Sequence, residues 1–226
     1  IEVCDWSSDV CSSDLLGEGY VRLRVSEAER RQAKHDIQHV EDIVIEMLRN
    51  ARDAGADKVY LATTKEEGVR TLLFLDNGSG VPQDMQERIF DARVTSKLES
   101  MKMDRWGVHG RGMALFSIKQ NTDEARVVTS GVDLGSAFKV CVATDRLGER
   151  ADQSSWPQAV KDEDGRYVCA RGPHNIIRAA CEFALEELRC CDVYLGSPSE
   201  IAATLYAQAS RSEERRVGKE CFGWWG

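Results

Sequence analysis

The feature that most constrains the fold is an apolar repeat at helical spacing over residues 33–54. Apolar side chains recur there every three or four positions, which is typical of a helix with one face packed on a core. The repeating residues are Ile37, Val40, Ile43, Val44, Met47, Leu48 and Ala51. Gly55 follows as a natural helix C-cap. We therefore predict one long helix over this segment, the longest in the chain.

Strand-like segments surround this helix. Residues 58–63 and 69–75 predict a hairpin, 125–130 and 136–144 two further strands, and 20–25 an early strand. Short helices are expected over 82–90, where Pro82 suits a first turn, and over 113–119. This order predicts an α/β fold of the α+β two-layer sandwich kind, with a mixed, largely antiparallel sheet and helices on one face.

The C-terminal part differs in pattern. Residues 146–165 are polar and are interpreted as a linker between a domain at 16–145 and a small C-terminal α/β extension at 166–210. That extension is expected to contain a helix over 174–188, a short strand over 192–195 and a last helix opened by a capping box, Ser197 to Glu200. Residues 172–175 are interpreted as a helix cap, although His174 is also a candidate acid or ligand.

Both ends of the chain have an unusual origin. Residues 4–15 and 211–221 can be back-translated, codon for codon, into common sequencing-adapter sequence. We therefore interpret 1–15 and 211–226 as adapter artefacts. The alternative is a natural disordered head and a basic tail.

Composition excludes several classes of function. The 226 residues carry a formal charge of −8, which argues against direct nucleic-acid binding because phosphate contacts need clustered Lys and Arg. No apolar run approaches the roughly 20 residues of a membrane-spanning helix. The cysteines between the two ends form no C-x-x-C pair and have no His at zinc spacing, so reduced thiols and a cytoplasmic location are expected.

Three polar residues interrupt the apolar pattern of the long helix. Glu46, Asn50 and Asp53 stand at i, i+4 and i+7, so they point from one face. A carboxylate can activate water, and an amide oxygen is a good ligand for Mg²⁺. A solvated helix face would explain the same spacing.

Two glycine clusters favour the functional interpretation. Asp76, Gly78 and Gly80 follow a strand, where glycine allows close approach to a ligand and a carboxylate can accept a hydrogen bond from an amino group. Gly107, Gly110 and Gly112 precede a helix, and backbone N–H groups there could hold a polyphosphate. Neither glycine cluster matches the Rossmann dinucleotide-binding pattern or the Walker phosphate-binding pattern.

The order of these motifs resembles the GHKL ATPase superfamily, which includes gyrase B subunits, heat-shock-90 chaperones, histidine kinases and MutL mismatch-repair proteins. The resemblance covers residues 36–144. The segments 50–56 and 95–97 are most similar to MutL-type proteins. The resemblance implies a Bergerat-type ATP-binding fold.

The resemblance also implies roles for individual residues. Glu46 would be the general base, Asn50 the Mg²⁺ ligand and Asp76 the acceptor for the adenine amino group. Residues 91–106 would form a mobile ATP lid. The remaining implied cofactor-binding residues are Asp53, Ala54, Gly78, Gly80, Lys97, Gly107, His109, Gly110, Arg111, Gly112, Met113 and Thr129. For Lys97 and Arg111, simple solvent-facing charge is the alternative.

The resulting hypothesis is Mg²⁺-dependent ATP binding and slow hydrolysis that drives a conformational switch, with a homodimer or a client protein as partner. One alternative is a protein kinase of this fold that phosphorylates a serine on a partner. His35 is not expected to be a phosphoacceptor, because it lies only 11 positions before Glu46. Another alternative is a nucleotide-binding interaction module with little turnover.

Overall fold

The structure is a computed structural model that describes residues 14–17, 19–96, 102–109, 112–188 and 190–221. Its strands are β1 (Asp14–Gly17), β2 (Tyr20–Arg22), β3 (Lys58–Glu66), β4 (Val69–Asp76), β5 (Val94–Thr95), β6 (Lys102–Asp104), β7 (Gly107–His109), β8 (Glu124–Ser130), β9 (Ser136–Ala143), β10 (Gln158–Lys161), β11 (Tyr167–Arg171) and β12 (Asp192–Gly196). Its helices are α1 (Glu27–Asp36), α2 (Val40–Asp53), α3 (Ala114–Asn121), α4 (Ile176–Glu186) and α5 (Pro198–Cys221).

A five-stranded sheet forms the centre of the fold, in the order β12-β3-β4-β9-β8. All neighbours pair antiparallel except β12 and β3, which are parallel. Side chains alternate between the two faces, so Val59 and Leu61 join the main core while Tyr60 and Ala62 point to the opposite side. The predicted α/β fold class, with a mixed and largely antiparallel sheet and packed helices, is confirmed, but the helices are not confined to one face because α5 packs on the side of Tyr60 and Ala62.

Helix α2 lies over the main face of the sheet. Its apolar stripe is fully buried at Val40, Ile43, Val44 and Leu48, and Phe183 of α4 joins the same core. Burying side chains of this size stabilises a fold by about 1.5–3 kcal/mol each. The core therefore fixes α2 firmly against the sheet.

The C-terminal extension completes the same sheet from its edge. Its strand β12 pairs with β3 in parallel, and the ring of Tyr194 stacks on that of Tyr60 at a centroid distance of 4.8 Å. Helix α5 covers this opposite face through the buried Ile201. It continues past Ser210 to Cys221. None of the helices in the described ranges is long and apolar enough to cross a membrane.

The prediction of one helix over 33–54 is wrong. The chain leaves the helical conformation at Ile37, and the Asp42 carboxylate accepts hydrogen bonds from the backbone N–H groups of Gln38 and His39, which caps the start of α2. Ile37 is still buried in the core although it lies in the connection. The apolar repeat therefore runs through a break that periodicity alone does not reveal.

Two other segments differ from expectation. Residues 82–90 form two short 3-10 turns, Gln83–Met85 and Arg88–Phe90, rather than one helix. The predicted linker contains β10, which pairs with β11. Every residue of β10 is exposed. A strand without a buried face needs no alternation of apolar and polar residues, so its sequence gives no strand signal.

A buried ion pair fastens the segment after β9 to β4. Arg70 Nε donates to Glu149 Oε1 at 2.7 Å, and Lys65 Nζ lies 3.1 Å from Oε2. Burial alone would raise the pKa of Glu149, but these hydrogen bonds outweigh it and lower the pKa.

We expect Glu149→Gln to reduce the free energy of unfolding at pH 7 by about 2 kcal/mol, the scale of a hydrogen bond between charged groups. Because the folded pKa is lowered, this stabilisation is complete above the ordinary carboxyl pKa of about 4.3 and is lost as the pH falls through the folded value. Urea unfolding at pH 7 and at successively lower pH tests this. The exposed Glu66→Gln is the control, and an equal loss at every pH would contradict the electrostatic explanation.

Candidate functional site

A cavity of about 350 Å³ lies between α2, the end of β4 and the start of α3. It brings together most of the predicted site. The predicted residues that line it are Glu46, Asn50, Asp53, Ala54, Asp76, Gly80, Gly112 and Met113. Residues far apart in the chain therefore meet at one surface.

Helix α2 supplies the polar wall of the cavity. Glu46, Asn50 and Asp53 follow one another along one face of the helix while its apolar face is buried. Within the described residues, the Asn50 Nδ2 atom is buried and has no hydrogen-bond partner. An unsatisfied buried amide is costly, so its position at the cavity fits a group that a ligand would satisfy. The amide also offers the type of oxygen that Mg²⁺ prefers.

Guanidinium groups hold the carboxylates of this wall. Arg49 Nη1 donates to Glu46 Oε1 at 2.6 Å, and Arg52 Nε donates to Asp53 Oδ1 at 3.1 Å. Only 5% of the Asp53 side chain is exposed. The carboxylates are thus fixed in place before any ligand binds.

The floor of the cavity is built from backbone in close contact. Asp76 Oδ1 accepts from the Gly78 N–H at 2.9 Å, and the Ser79 N–H donates to the Ala54 carbonyl at 2.9 Å. A Cβ at position 78 would lie 2.8 Å from that carbonyl oxygen. A carboxylate has about four lone-pair sites, so Asp76 can accept more than the one hydrogen bond from Gly78.

The opposite end of the cavity is the start of α3. Gly112 has φ +67°, and Met113 caps the helix without a side-chain hydrogen bond. Met113 thus leaves the first N–H groups of α3 without a cap from its own side chain, and helix N-termini with available N–H groups can bind phosphate. Gly107 and His109 lie in β7, paired with β6. Lys97, Gly110 and Arg111 lie outside the described residues, as does part of the predicted lid.

Thr129 is not among the described residues that line the cavity. The Thr129 side chain is exposed, on the edge strand β8, next to an irregularity in its pairing with β9. The neighbouring strand instead contributes Ser136 and Phe138 to the cavity wall.

Sequence reasoning also missed Tyr20, which lines the cavity from β2. Burial raises the pKa of its hydroxyl, partly opposed by a hydrogen bond with Ser96. The alternating pattern of residues 20–25 predicts a strand but does not indicate that the Tyr20 side chain lies at a ligand site.

Comparison with known proteins agrees with this geometry. Residues 37–141 match the family model described as histidine kinase-, DNA gyrase B- and HSP90-like ATPase. The resemblance to the GHKL ATPases is confirmed. The match covers the cavity's polar wall, its floor and the start of α3, and it supports ATP binding and an ATPase-type function in general terms.

The relatives found by sequence include DNA mismatch repair proteins MutL. The protein of Brucella abortus (strain S19) is 34% identical over 112 residues, which is 49% of this chain and 18% of the relative. That of Thermodesulfovibrio yellowstonii is 31% identical over 107 residues, 46% of this chain and 19% of the relative. The chain thus spans about a fifth of the length of these relatives, and the MutL-like character of its motifs is confirmed.

Among solved structures, the mycobacterial sensor histidine kinase MprB matches with 19% identity and a TM-score of 0.33. The match covers 54% of this chain and 74% of that one.

We expect Gly80→Ala to damage the cavity floor, because Gly80 has φ +72° and an added Cβ would lie 1.8 Å from the Gly131 carbonyl oxygen. Gly68→Ala is the matched control, since Gly68 has φ +82° and no atom within 4 Å of the added Cβ. In Gly68→Ala the free energy of unfolding should fall by only the cost of left-handed backbone strain, about 1 kcal/mol. In Gly80→Ala it should fall by clearly more. Thermal unfolding of both variants measures the difference, and equal losses would show that the close approach is not required.

Proposed function

We propose that this protein binds ATP with Mg²⁺ and hydrolyses it slowly. The observation that carries the proposal is that Glu46, Asn50 and Asp76 line one cavity together with the start of α3, whose N-cap residue Met113 makes no side-chain capping hydrogen bond. A candidate base, a candidate metal ligand, a candidate adenine acceptor and a helix N-terminus that suits phosphate are thus brought to one cavity, as a bound nucleotide would need.

Each residue has a defined task in this proposal. Asp76 accepts a hydrogen bond from the adenine amino group, and the backbone N–H groups at Gly112 and Met113 hold the phosphates. The Asn50 amide oxygen is the protein ligand for Mg²⁺, which when bound offsets negative charge on the phosphates.

Glu46 orients the attacking water and accepts its proton. The water oxygen bonds to the γ-phosphorus while the bond between that phosphorus and the β–γ bridging oxygen breaks, so ADP leaves. The N–H groups of Gly112 and Met113, which lie just before α3, are fixed before the reaction, so they stabilise the developing charge without reorganisation. We propose further that nucleotide state controls a conformational switch read by a second copy of the chain or a client protein in the cytoplasm.

We expect Glu46→Gln to retain ATP binding and to lower the hydrolysis rate at least about a hundredfold, the contribution typical of a general base. Calorimetry with and without Mg²⁺ measures binding, and phosphate release from the same sample measures turnover. The exposed Glu66→Gln should leave both unchanged. Wild-type binding without any phosphate release would instead support a binding module with little turnover.

A second cavity favours phosphotransfer as the alternative reaction. Its volume is about 260 Å³, it lies between α2 and α4, and it shares Asp36, Glu46 and Trp106 with the first cavity. The exposed His174 and the buried Asn175 also line it. An acceptor side chain entering there would reach the same carboxylate as the attacking water.

If the protein is a kinase, γ-labelled ATP should transfer label to a serine-bearing partner, and Glu46→Gln should abolish the transfer. If it is a hydrolase, the wild type and Glu46→Gln should give the same protein labelling above the background of the lysate, and only the release of free phosphate should differ between them. Electrophoresis followed by acid treatment separates these results, because phosphoserine survives acid and phosphohistidine does not.

A further inference from the structure

Arg49 occupies an unusual place beside the candidate base. Only 3% of its side chain is exposed, and it lies between two carboxylates. Its Nη1 donates to Glu46 Oε1 at 2.6 Å, while its Nη2 donates to Asp104 Oδ1 at 3.0 Å. Its Nε lies 3.0 Å from Asp104 Oδ2. One guanidinium therefore joins the candidate base to a residue 58 positions further along the chain.

Asp104 belongs to the β6–β7 hairpin, and its carboxylate is held from several sides. Oδ1 accepts from the Trp106 backbone N–H at 3.0 Å, and Oδ2 accepts from Arg52 Nη1 at 3.4 Å. Trp106 stacks on Phe183 of α4 at a centroid distance of 6.0 Å. The hairpin is thereby attached to both α2 and α4, and Arg49 connects that attachment to Glu46.

The geometry requires arginine rather than any cation. A guanidinium presents its donors in a planar fork, so its two Asp104-facing nitrogens and the Glu46-facing nitrogen have fixed relative directions. A lysine ammonium at this position would keep the charge but could not hold both carboxylates in the same arrangement. Buried ion pairs add little net stability, because desolvation costs about as much as the attraction returns. Placement of the Glu46 carboxylate is the better explanation of this network.

We propose that Arg49 is a positioning residue for Glu46, and that Asp104 of the β6–β7 hairpin acts on Glu46 through Arg49. The inference rests on the proposed function, in which Glu46 orients the attacking water. It adds that the orientation of Glu46 is set by the hairpin as well as by α2.

The test compares Arg49→Lys, Asp104→Asn and the double variant in the full chain. We expect each single variant to lower kcat about tenfold or more, since a small misplacement of a catalytic group is costly. The KM for ATP and the affinity for ADP should change less than about threefold, because adenine and phosphate contacts lie elsewhere. If Asp104 acts through Arg49, the double variant should have the kcat of Arg49→Lys alone.

Arg70→Lys is the matched control. Arg70 is also a buried arginine paired with a glutamate, with 8% of its side chain exposed, and it lies at the far end of β4 from Asp76. Arg70→Lys should lose thermal stability to about the same degree as Arg49→Lys, while its kcat stays within about twofold of wild type. This comparison separates positioning from a general loss of stability, and nucleotide affinity shows that each variant is folded.

The results distinguish the inference from the proposed function. A wild-type protein that releases no phosphate from ATP would overturn both. If the wild type hydrolyses ATP but Arg49→Lys has an unchanged kcat, the inference is overturned and the proposed function stands. The same holds if the kcat loss of the double variant is the product of the two single losses.

Discussion

The site depends on one backbone hydrogen bond, from the Ser79 N–H to the Ala54 carbonyl at 2.9 Å. It joins the end of α2 to the turn that follows β4. The helix is already fixed on the sheet by its buried apolar stripe, and this bond sets how far along the sheet it lies. As a result the polar face that contains Asn50 and Asp53 faces the end of the strand that contains Asp76.

Small residues make this close junction possible. Any side chain at Gly78 would collide with Ala54, and any side chain at Gly80 would collide with the turn between β8 and β9. The Asp133 N–H donates to the Ser79 carbonyl at 2.8 Å, which brings that turn to the same point. The glycines of the floor are therefore a packing requirement of the fold as much as a feature of ligand binding.

The sequence predicted those parts of the structure whose signals are local. The spacing of Glu46, Asn50 and Asp53 requires only one helix, and the hairpin of β3 and β4 requires only alternation and a turn. The break at Ile37 was missed because this residue, although it lies in the connection between two helices, is buried and stands at helical spacing from Val40. The roles of Arg49 and Asp104 were also missed, since their contact spans a sequence separation that no spacing rule describes.

The charges around the cavity bear on how a nucleotide could bind. Among the described lining residues, Asp36, Glu46, Asp53 and Asp76 are acidic, and Arg49 alone is basic. Arg49 and Arg52 pair with Glu46 and Asp53 and offset part of this negative charge, and the α3 N-terminus adds the attraction of about half an elementary charge. Nucleotide that enters as its magnesium complex carries less negative charge to the acidic wall. Under the proposed function, the remaining excess of carboxylates favours the magnesium complex over the bare nucleotide.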